Sequence, residues 1–172
     1  MKWSIQQLQS FKNDGVLLDE SVDVSEVKQV DREIRDISTV KVKGSGSISR
    51  DLATFHLKIE GTMTLPCART LNDVEFPFAI DAIEAFQLSE GATFDEEDEV
   101  HELTSNTVDL LPFVQERILL EKPFRVFSEK SEGPAPHSGN GWKMQAEDAD
   151  ADQKKQVDPR LAKLENLFKK DE

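Results

Sequence analysis

Alternation of apolar and polar residues dominates the stretch from Ile37 to Ala85 and predicts β-structure there. The run Val40–Lys43 alternates valine with lysine, which is the period of a strand with one buried face. The run Gly44–Gly46 follows, and its two glycines predict a bulge or bend before the strand resumes at Ile48.

Two longer strands follow along the chain. The segment Leu52–Leu65 places apolar and polar side chains on opposite faces, and Gly61 predicts a bend within it. The segment Val74–Ile80 alternates again, and Pro77 predicts that one side of this strand is unpaired or bulged, because proline has no N–H to donate. Consecutive strands with short links predict an antiparallel meander whose apolar face is covered by a helix.

A helix is predicted from about Asp109 to Glu121. Asp109 or Thr107 can act as its N-cap, and Pro112 falls in the first turn, where the missing N–H costs little. Pro123 ends the helix. Apolar residues recur at helical spacing and form a stripe that we expect to lie on the sheet. The stripe contains Leu110, Leu111, Phe113, Val114, Ile118 and Leu119, whereas Gln115, Glu116, Arg117 and Lys122 are predicted to face away.

The N-terminal part of the chain is less regular. The first 36 residues predict an irregular edge of the fold, with a short strand near Val16–Leu18. Together with the meander and the packed helix, they predict a single α+β domain over residues 1–144.

The C-terminal part predicts a tethered helix. Residues 145–157 are acidic and rich in alanine, which favours a flexible linker. Asp158 as N-cap and Pro159 at the first helical position begin a helix over residues 158–170. A helix this short is not stable alone in water. We therefore expect it to dock, either on its own domain or on a partner.

The charge of the chain is strongly acidic and unevenly distributed. Its 172 residues carry 34 acidic and 21 basic side chains, a formal charge of −13. This balance opposes non-specific binding to a phosphate backbone and favours a basic partner. Residues 37–72 nevertheless carry five basic against two acidic side chains, whereas Gln87–Glu121 carries ten acidic and one basic. Two faces of opposite sign are predicted.

Residue content disfavours several classes of protein. The N-terminus has no apolar signal-peptide core, and no apolar run approaches the roughly 18 residues of a membrane span. We therefore expect a cytoplasmic protein without a membrane partner. A single cysteine, Cys67, allows no intramolecular disulfide. We expect this cysteine to be a small buried residue.

No motif for catalysis or metal binding is assembled in the sequence. Cys67 and the three histidines are spaced unlike zinc ligands. The acidic run Asp95–Glu99 lacks the spaced ligands of a calcium loop, and Gly44–Ser47 lacks the lysine of a phosphate loop. We therefore expect no cofactor, no metal, no small-molecule substrate and no enzymatic activity. A hydrolase or nuclease hidden among the acidic residues is the disfavoured rival.

Two surfaces are candidates for binding a partner. Basic side chains on the polar side of adjacent strands can contact RNA phosphates, and the candidate RNA-binding residues are Lys41, Lys43, His56, Lys58 and Arg69. The acidic run suits a basic partner, and its candidate residues are Asp95, Glu96, Glu97, Asp98 and Glu99. An ordinary solvated face is the alternative interpretation of each surface.

Several segments resemble the bacterial YceD family of large-subunit ribosomal RNA accumulation proteins. They are Cys67–Leu71 after the Gly61 strand, the helical segment Val108–Pro123, and the closing Val157–Leu161. The residues that match the family's motifs are Cys67, Arg69, Leu71, Asp109, Glu116, Pro123, Asp158, Pro159 and Arg160. The resemblance implies a role in ribosome biogenesis. Family members are typically encoded beside a small protein of the large ribosomal subunit.

The chain departs from the family pattern in its cysteines. Thr70 stands where many members have a cysteine, and the further cysteines that some members carry are missing from Phe124–Trp142. The resemblance therefore implies no metal or redox site here.

These observations lead to one functional hypothesis with two mechanisms. The chain is expected to be a non-enzymatic factor for accumulation or processing of large-subunit ribosomal RNA, acting by direct binding to RNA. The alternative is an acidic escort or assembly partner of a basic large-subunit ribosomal protein. Local charge favours the first mechanism and net charge favours the second.

Overall fold

A computed structural model of the chain describes residues 1–89, 100–103, 105–130, 132–136 and 138–143. The chain divides into two units, Met1–Ala135 and Pro136–Glu172. The elements of the first unit are, in order, β1 (Lys2–Ser4), α1 (Ile5–Ser10), β2 (Val16–Val22), α2 (Val27–Val30), β3 (Asp36–Ile37), β4 (Val40–Ile48), β5 (Leu52–Pro66), β6 (Asp73–Gln87), β7 (Val100–His101), β8 (Thr107–Asp109) and α3 (Leu111–Glu121).

One sheet holds most of the strands. Its order is β2-β4-β5-β6-β7, with β3 also pairing with β5. All of these pairs are antiparallel except β6 with β7, which is parallel. A separate antiparallel pair joins β1 to β8. The predicted α+β class with antiparallel pairing is confirmed. The predicted linker and C-terminal helix lie outside the described residues.

The bulge predicted in β4 is wrong. The strand pairs without interruption through Gly44 and Gly46, with β2 on one side and β5 on the other. The glycines instead permit close approach, because a Cβ on Gly46 would lie 2.7 Å from the Phe55 ring. Phe55 is completely buried and stacks on Trp3 with ring centroids 5.7 Å apart. The Phe55 ring therefore occupies the space that a side chain at position 46 would need.

Strand β6 is long and open along most of its outer side. It pairs with β5 over all 15 of its residues, including Pro77 opposite Thr62. On the other side, the described part of the chain provides only β7, which reaches Ala85 and Phe86. The backbone of Thr62 bonds to Ser38 instead of β6. Pro77 therefore faces the open side, which is where a strand tolerates a missing N–H.

The predicted helix packs on β6 but begins two residues later than expected. Pro112 lies in its first turn, and Val114 and Ile118 are completely buried. Asp109 does not form the N-cap, although its Oδ1 accepts a hydrogen bond from the Leu111 N–H at 3.1 Å. The helix thus covers the apolar face of the sheet.

The N-terminal part is more regular than the sequence predicts. The short strand expected at Val16–Leu18 extends to Val22 and pairs along its whole length with β4. Ser4 caps α1 by a reciprocal pair of hydrogen bonds with Gln7. Strand β2 does form an edge of the sheet, as predicted, but the predicted irregularity was wrong because β1 and β2 pair with strands that come later in the chain.

The described part of the second unit contains a small antiparallel hairpin. Its strands are β9 (Ser138–Gly139) and β10 (Trp142–Lys143). Gly141 occupies the turn with φ +87°, a conformation that glycine adopts without steric cost.

Candidate nucleic-acid interface

The exposed face of the sheet brings together four of the five predicted RNA-binding residues. Lys43 on β4 lies directly opposite Lys58 on β5. Lys41 is two residues away on β4, and His56 is two residues away on β5. All four side chains point to solvent. Arg69 is not part of this cluster, because it follows β5 in a loop. We call the four residues the lysine strip.

Acidic side chains flank the lysine strip on both sides. Asp19 on β2 pairs with Lys43, and Asp81 on β6 pairs with Lys58. Across the sheet the order of charges in this row is therefore negative, positive, positive, negative. Two lysines directly opposite each other repel, and the flanking carboxylates offset that repulsion.

Glu60 adds a third carboxylate to this face. Its Oε1 lies 2.9 Å from the Nζ of Lys58, and it pairs in register with Lys41. The hydrogen bond and charge of Glu60 raise the pKa of Lys58, and those of Lys58 lower the pKa of Glu60. The Nζ of Lys41 also lies 3.8 Å from Asp19. Three lysines and three carboxylates thus leave this face without net charge.

Exposed apolar side chains lie at the two ends of the neighbouring row. Leu17, Ser45, His56 and Ile83 are aligned across β2, β4, β5 and β6. Leu17 is 88% exposed and Ile83 is 59% exposed. A shallow open groove of about 440 Å³ runs from Lys43 to Ile83. The surface is therefore amphipathic, with charge in its centre and apolar groups at its margins.

Cys67 is buried, as expected, but it is not an inert core residue. Its Sγ accepts hydrogen bonds from the backbone N–H groups of Arg69 and Thr70 at 3.4 Å and of Ser128 at 3.3 Å. Burial alone would raise the pKa of the thiol, but hydrogen bonds from Thr70, Ser128 and Arg69 outweigh it and lower the pKa to about 6.

Cys67 thereby joins two loops that lie far apart in sequence. The N–H of Ala68 donates to the carbonyl of Val126 at 2.9 Å. Thr70 is buried, and its carbonyl accepts a hydrogen bond from the Ala135 N–H at 3.1 Å. A Cβ on Gly133 would overlap the Thr70 backbone. The loop after β5 and the segment after α3 therefore form one tightly packed unit.

This packed unit presents two aromatic rings that the sequence interpretation missed. Phe124 is 90% exposed and Phe127 is 55% exposed. The guanidinium of Arg125 lies over the Phe124 ring, and that of Arg69 over the Phe127 ring, each 5.3 Å from the ring centroid. The available signal was the run Phe124–Phe127, in which arginine stands between aromatic residues.

A further polar cluster lies under α3 around a buried carboxylate. Glu84 is 1% exposed, and its Oε1 lies 2.6 Å from the Nε of Arg117. Its Oε2 lies 2.8 Å from Nε2 of His101, whose ring contacts both Phe86 and Phe113. The prediction that Arg117 faces away from the sheet is wrong, because Arg117 forms an ion pair with Glu84, which points inward from β6.

The remaining predicted residues are not part of one site. Lys122, also predicted to face away, binds Asp31 and Glu33 with 2.6 Å to each. Leu71 has φ 59° in the loop after β5, Glu116 is exposed on α3, and Pro123 follows the end of that helix. The acidic run Asp95–Glu99 and the motif residues Asp158, Pro159 and Arg160 lie outside the described residues.

The described ranges contain neither a metal-binding cluster nor a membrane-spanning helix. No group of three or more histidine, cysteine, aspartate or glutamate residues there is placed to hold a metal ion. None of the helices in those ranges has the length and apolar character needed to cross a membrane.

Comparison with known proteins identifies a family that matches most of the chain and a relative that matches its whole length. Residues 55–168 match the family model "Large ribosomal RNA subunit accumulation protein YceD". The uncharacterized protein YlbN of Bacillus subtilis (strain 168) is 42% identical over 174 residues, covering 100% of this chain and 99% of YlbN. No solved structure matches the chain.

Proposed function

Since this chain belongs to the YceD family, we propose that it supports accumulation or processing of large-subunit ribosomal RNA by binding RNA directly, without catalysing a reaction. The family description names the RNA of the large subunit. The surface chemistry of this chain provides the means of contact.

The juxtaposition of Lys43 and Lys58 carries the proposal. The two ammonium groups occupy opposite positions at the centre of an exposed sheet face, with Lys41 and His56 on either side along the strands. Like charges placed opposite each other destabilise a sheet. A phosphate bound between them would add a negative charge next to both ammonium groups and release counterions, which is a main source of affinity for nucleic acids.

The flanking carboxylates limit the kind of RNA that fits. Asp19 and Asp81 stand on β2 and β6, three strand spacings apart, which is about 14 Å at roughly 4.8 Å per spacing. A phosphate backbone is repelled outside these limits and attracted within them. The surface therefore suits a single strand that follows the lysine strip, and Ile83 and Leu17 offer apolar contacts beside it.

Binding measurements on the purified chain test the proposal. Single-stranded fragments of large-subunit ribosomal RNA should bind, and the double variant Lys43→Glu, Lys58→Glu should bind at least tenfold more weakly. The matched control reverses two lysines away from the strip, Lys2→Glu and Lys12→Glu, and should retain most of the affinity. Equal losses in both double variants would show that net charge alone governs binding, and would remove the proposed site.

A cellular test addresses the biological role. Deletion of the gene should lower the level of large subunits in sedimentation profiles and raise the level of precursor RNA. Complementation with the Lys43→Glu, Lys58→Glu variant should fail, whereas the Lys2→Glu, Lys12→Glu variant should succeed. Unchanged RNA and subunit levels under all growth conditions would refute the role.

One observation favours escort of a basic ribosomal protein as the second candidate. The lysine strip is balanced by three carboxylates, and the whole chain carries −13. A cationic protein would be steered to such a chain at long range. Crosslinking in cells separates the two mechanisms. Recovery of one large-subunit RNA region supports direct RNA binding, and recovery of a basic ribosomal protein without RNA supports escort.

A further inference from the structure

We infer that Phe124, Phe127, Arg69 and Arg125 form a stacking platform for unpaired bases of single-stranded RNA. The inference rests on the RNA-binding function proposed above and adds a second contact region of a different chemistry. The lysine strip contacts phosphates, whereas this platform would contact the faces of bases.

Exposure and charge point to this chemistry. Aromatic rings are normally buried in a soluble domain, yet Phe124 is almost completely exposed and Phe127 is more than half exposed. Each ring has an arginine guanidinium over it, and more than half of each phenylalanine remains exposed. Within the described part of the chain neither Arg69 nor Arg125 forms an ion pair, so both positive charges are available to phosphates. Aromatic rings interleaved with arginines are the usual means of binding single strands.

The platform is held rigidly by its backbone. Phe127 lies between Val126, whose carbonyl accepts from the Ala68 N–H, and Ser128, whose N–H donates to Cys67 Sγ. Arg69 is positioned by its own N–H, which also donates to Cys67 Sγ. Because the backbone N–H groups of Arg69 and Ser128 donate to one sulfur atom, the backbone beside the Phe127 ring and its arginine is ordered before a base binds, which lowers the entropic cost of binding. Cys67 is therefore a positioning residue for the platform.

The platform and the lysine strip are connected by one strand. Lys58 lies in the middle of β5, which ends at Pro66, next to Cys67. The strand covers about 26 Å over these eight steps at roughly 3.3 Å per residue. A single RNA strand that engages both regions must therefore be longer than one that engages either alone.

Fluorescence anisotropy with a labelled, unstructured 16-nucleotide RNA tests the inference on the full chain. The variant Phe124→Ala, Phe127→Ala should bind this RNA at least fivefold more weakly, because each stacked base contributes a factor of roughly five to a hundred and fifty. Leu120→Ala is the matched control, since Leu120 is an exposed apolar residue on α3. This variant should bind the RNA as tightly as the wild-type chain. Unchanged thermal unfolding midpoints verify that the variants fold.

Two comparisons between RNA ligands test whether the phenylalanine rings contribute affinity by stacking on bases. Removal of bases from the central nucleotides should weaken binding to the wild-type chain but not to the double phenylalanine variant. The same RNA annealed to its complement should bind the two proteins equally, because its bases are no longer accessible.

The outcomes separate this inference from the proposed function. If the wild-type chain binds no RNA, both the proposed function and the stacking platform are refuted. If the wild-type chain binds RNA and the double phenylalanine variant binds equally well, the platform is refuted while the function stands. Equal weakening by Leu120→Ala would also overturn it, because any exposed apolar group would then serve.

Discussion

Arg117 on helix α3 donates from Nε to Oε1 of Glu84 at 2.6 Å, at a position on β6 where the neighbouring inward residues are apolar. Glu84 is buried, whereas about a third of the Arg117 side chain remains accessible. The pair therefore links the helix to the sheet, and one partner is fully desolvated while the other remains in contact with water. Removal of one partner should not cost the same as removal of the other.

Arg117→Met should destabilise the domain more than Glu84→Gln. The first change removes the guanidinium from a buried carboxylate that keeps its hydrogen bond to His101 Nε2, which costs up to about 3–5 kcal/mol. The second keeps an amide oxygen as an acceptor for an arginine whose side chain is already about a third exposed, so we expect about 1–2 kcal/mol. Urea denaturation followed by circular dichroism measures both. A larger loss for Glu84→Gln would contradict the asymmetry.

Replacement of Cys67 by serine should change the dependence of stability on pH. The pKa of the thiol is lowered from 9.0 to about 6 in the folded chain. Between these values the unfolded chain binds more protons, so this group's stabilisation grows as pH rises. It is complete above pH 9 and is lost as pH falls through about 6.

The measurement is urea denaturation of the wild-type and Cys67→Ser chains, under reducing conditions, at several pH values between 5.5 and 9. The wild type should gain stability over the variant as pH increases. A constant difference across this range would show that Sγ is a neutral acceptor in the folded chain.

Gly44→Ala should disrupt the centre of the sheet. A Cβ at this position would overlap the backbone carbonyl of His56 on the adjacent strand. That carbonyl cannot move without displacing β5, so we expect a loss of about 2–3 kcal/mol, as for other overpacked sites. Ser45→Ala, at the next and exposed position, is the control and should have little effect. A tolerated Gly44→Ala would mean that the strands can separate here at low cost.

Neutralising the lysine strip should reduce the salt dependence of RNA binding by a defined amount. Each phosphate contact to a single strand contributes a slope of about −0.7 to log Kobs against log salt concentration. Lys43→Gln with Lys58→Gln should therefore make the slope less negative by about 1.4. Phe124→Ala with Phe127→Ala should lower the affinity and leave the slope unchanged. If the plots of log Kobs against log salt concentration are parallel for the wild type and the lysine variant, Lys43 and Lys58 do not contact phosphates.

Local alternation predicted much of the sheet because strand faces repeat every two residues. In Val40–Lys43 and Val74–Ile80, the apolar side chains point inward and the intervening residues point outward, as expected. The same alternation places Glu84 inward, but no local pattern identifies its partner. Arg117 meets it through tertiary packing of α3, and a helical stripe alone shows Arg117 as an outward residue.

The candidate surfaces were predicted unevenly for a related reason. Alternation alone places Lys43 and Lys58 on one face, but register with β2 and β6 is needed to find Asp19 and Asp81 beside them. Phe124 and Phe127 lie in a loop, where no period relates sequence to exposure. Their exposure follows from backbone hydrogen bonds to a distant segment, which residue types do not reveal.

The pairing of β1 with β8 places a constraint on how the protein is made. Lys2 lies opposite Asp109, so the first strand has no partner until the eighth has left the ribosome. At roughly 5–20 residues per second, that interval lasts several seconds. During it Trp3 and Leu8, which belong to the finished core, remain accessible to chaperones and proteases. Translation speed over the first hundred codons is therefore an influence on how much of the protein reaches its folded state.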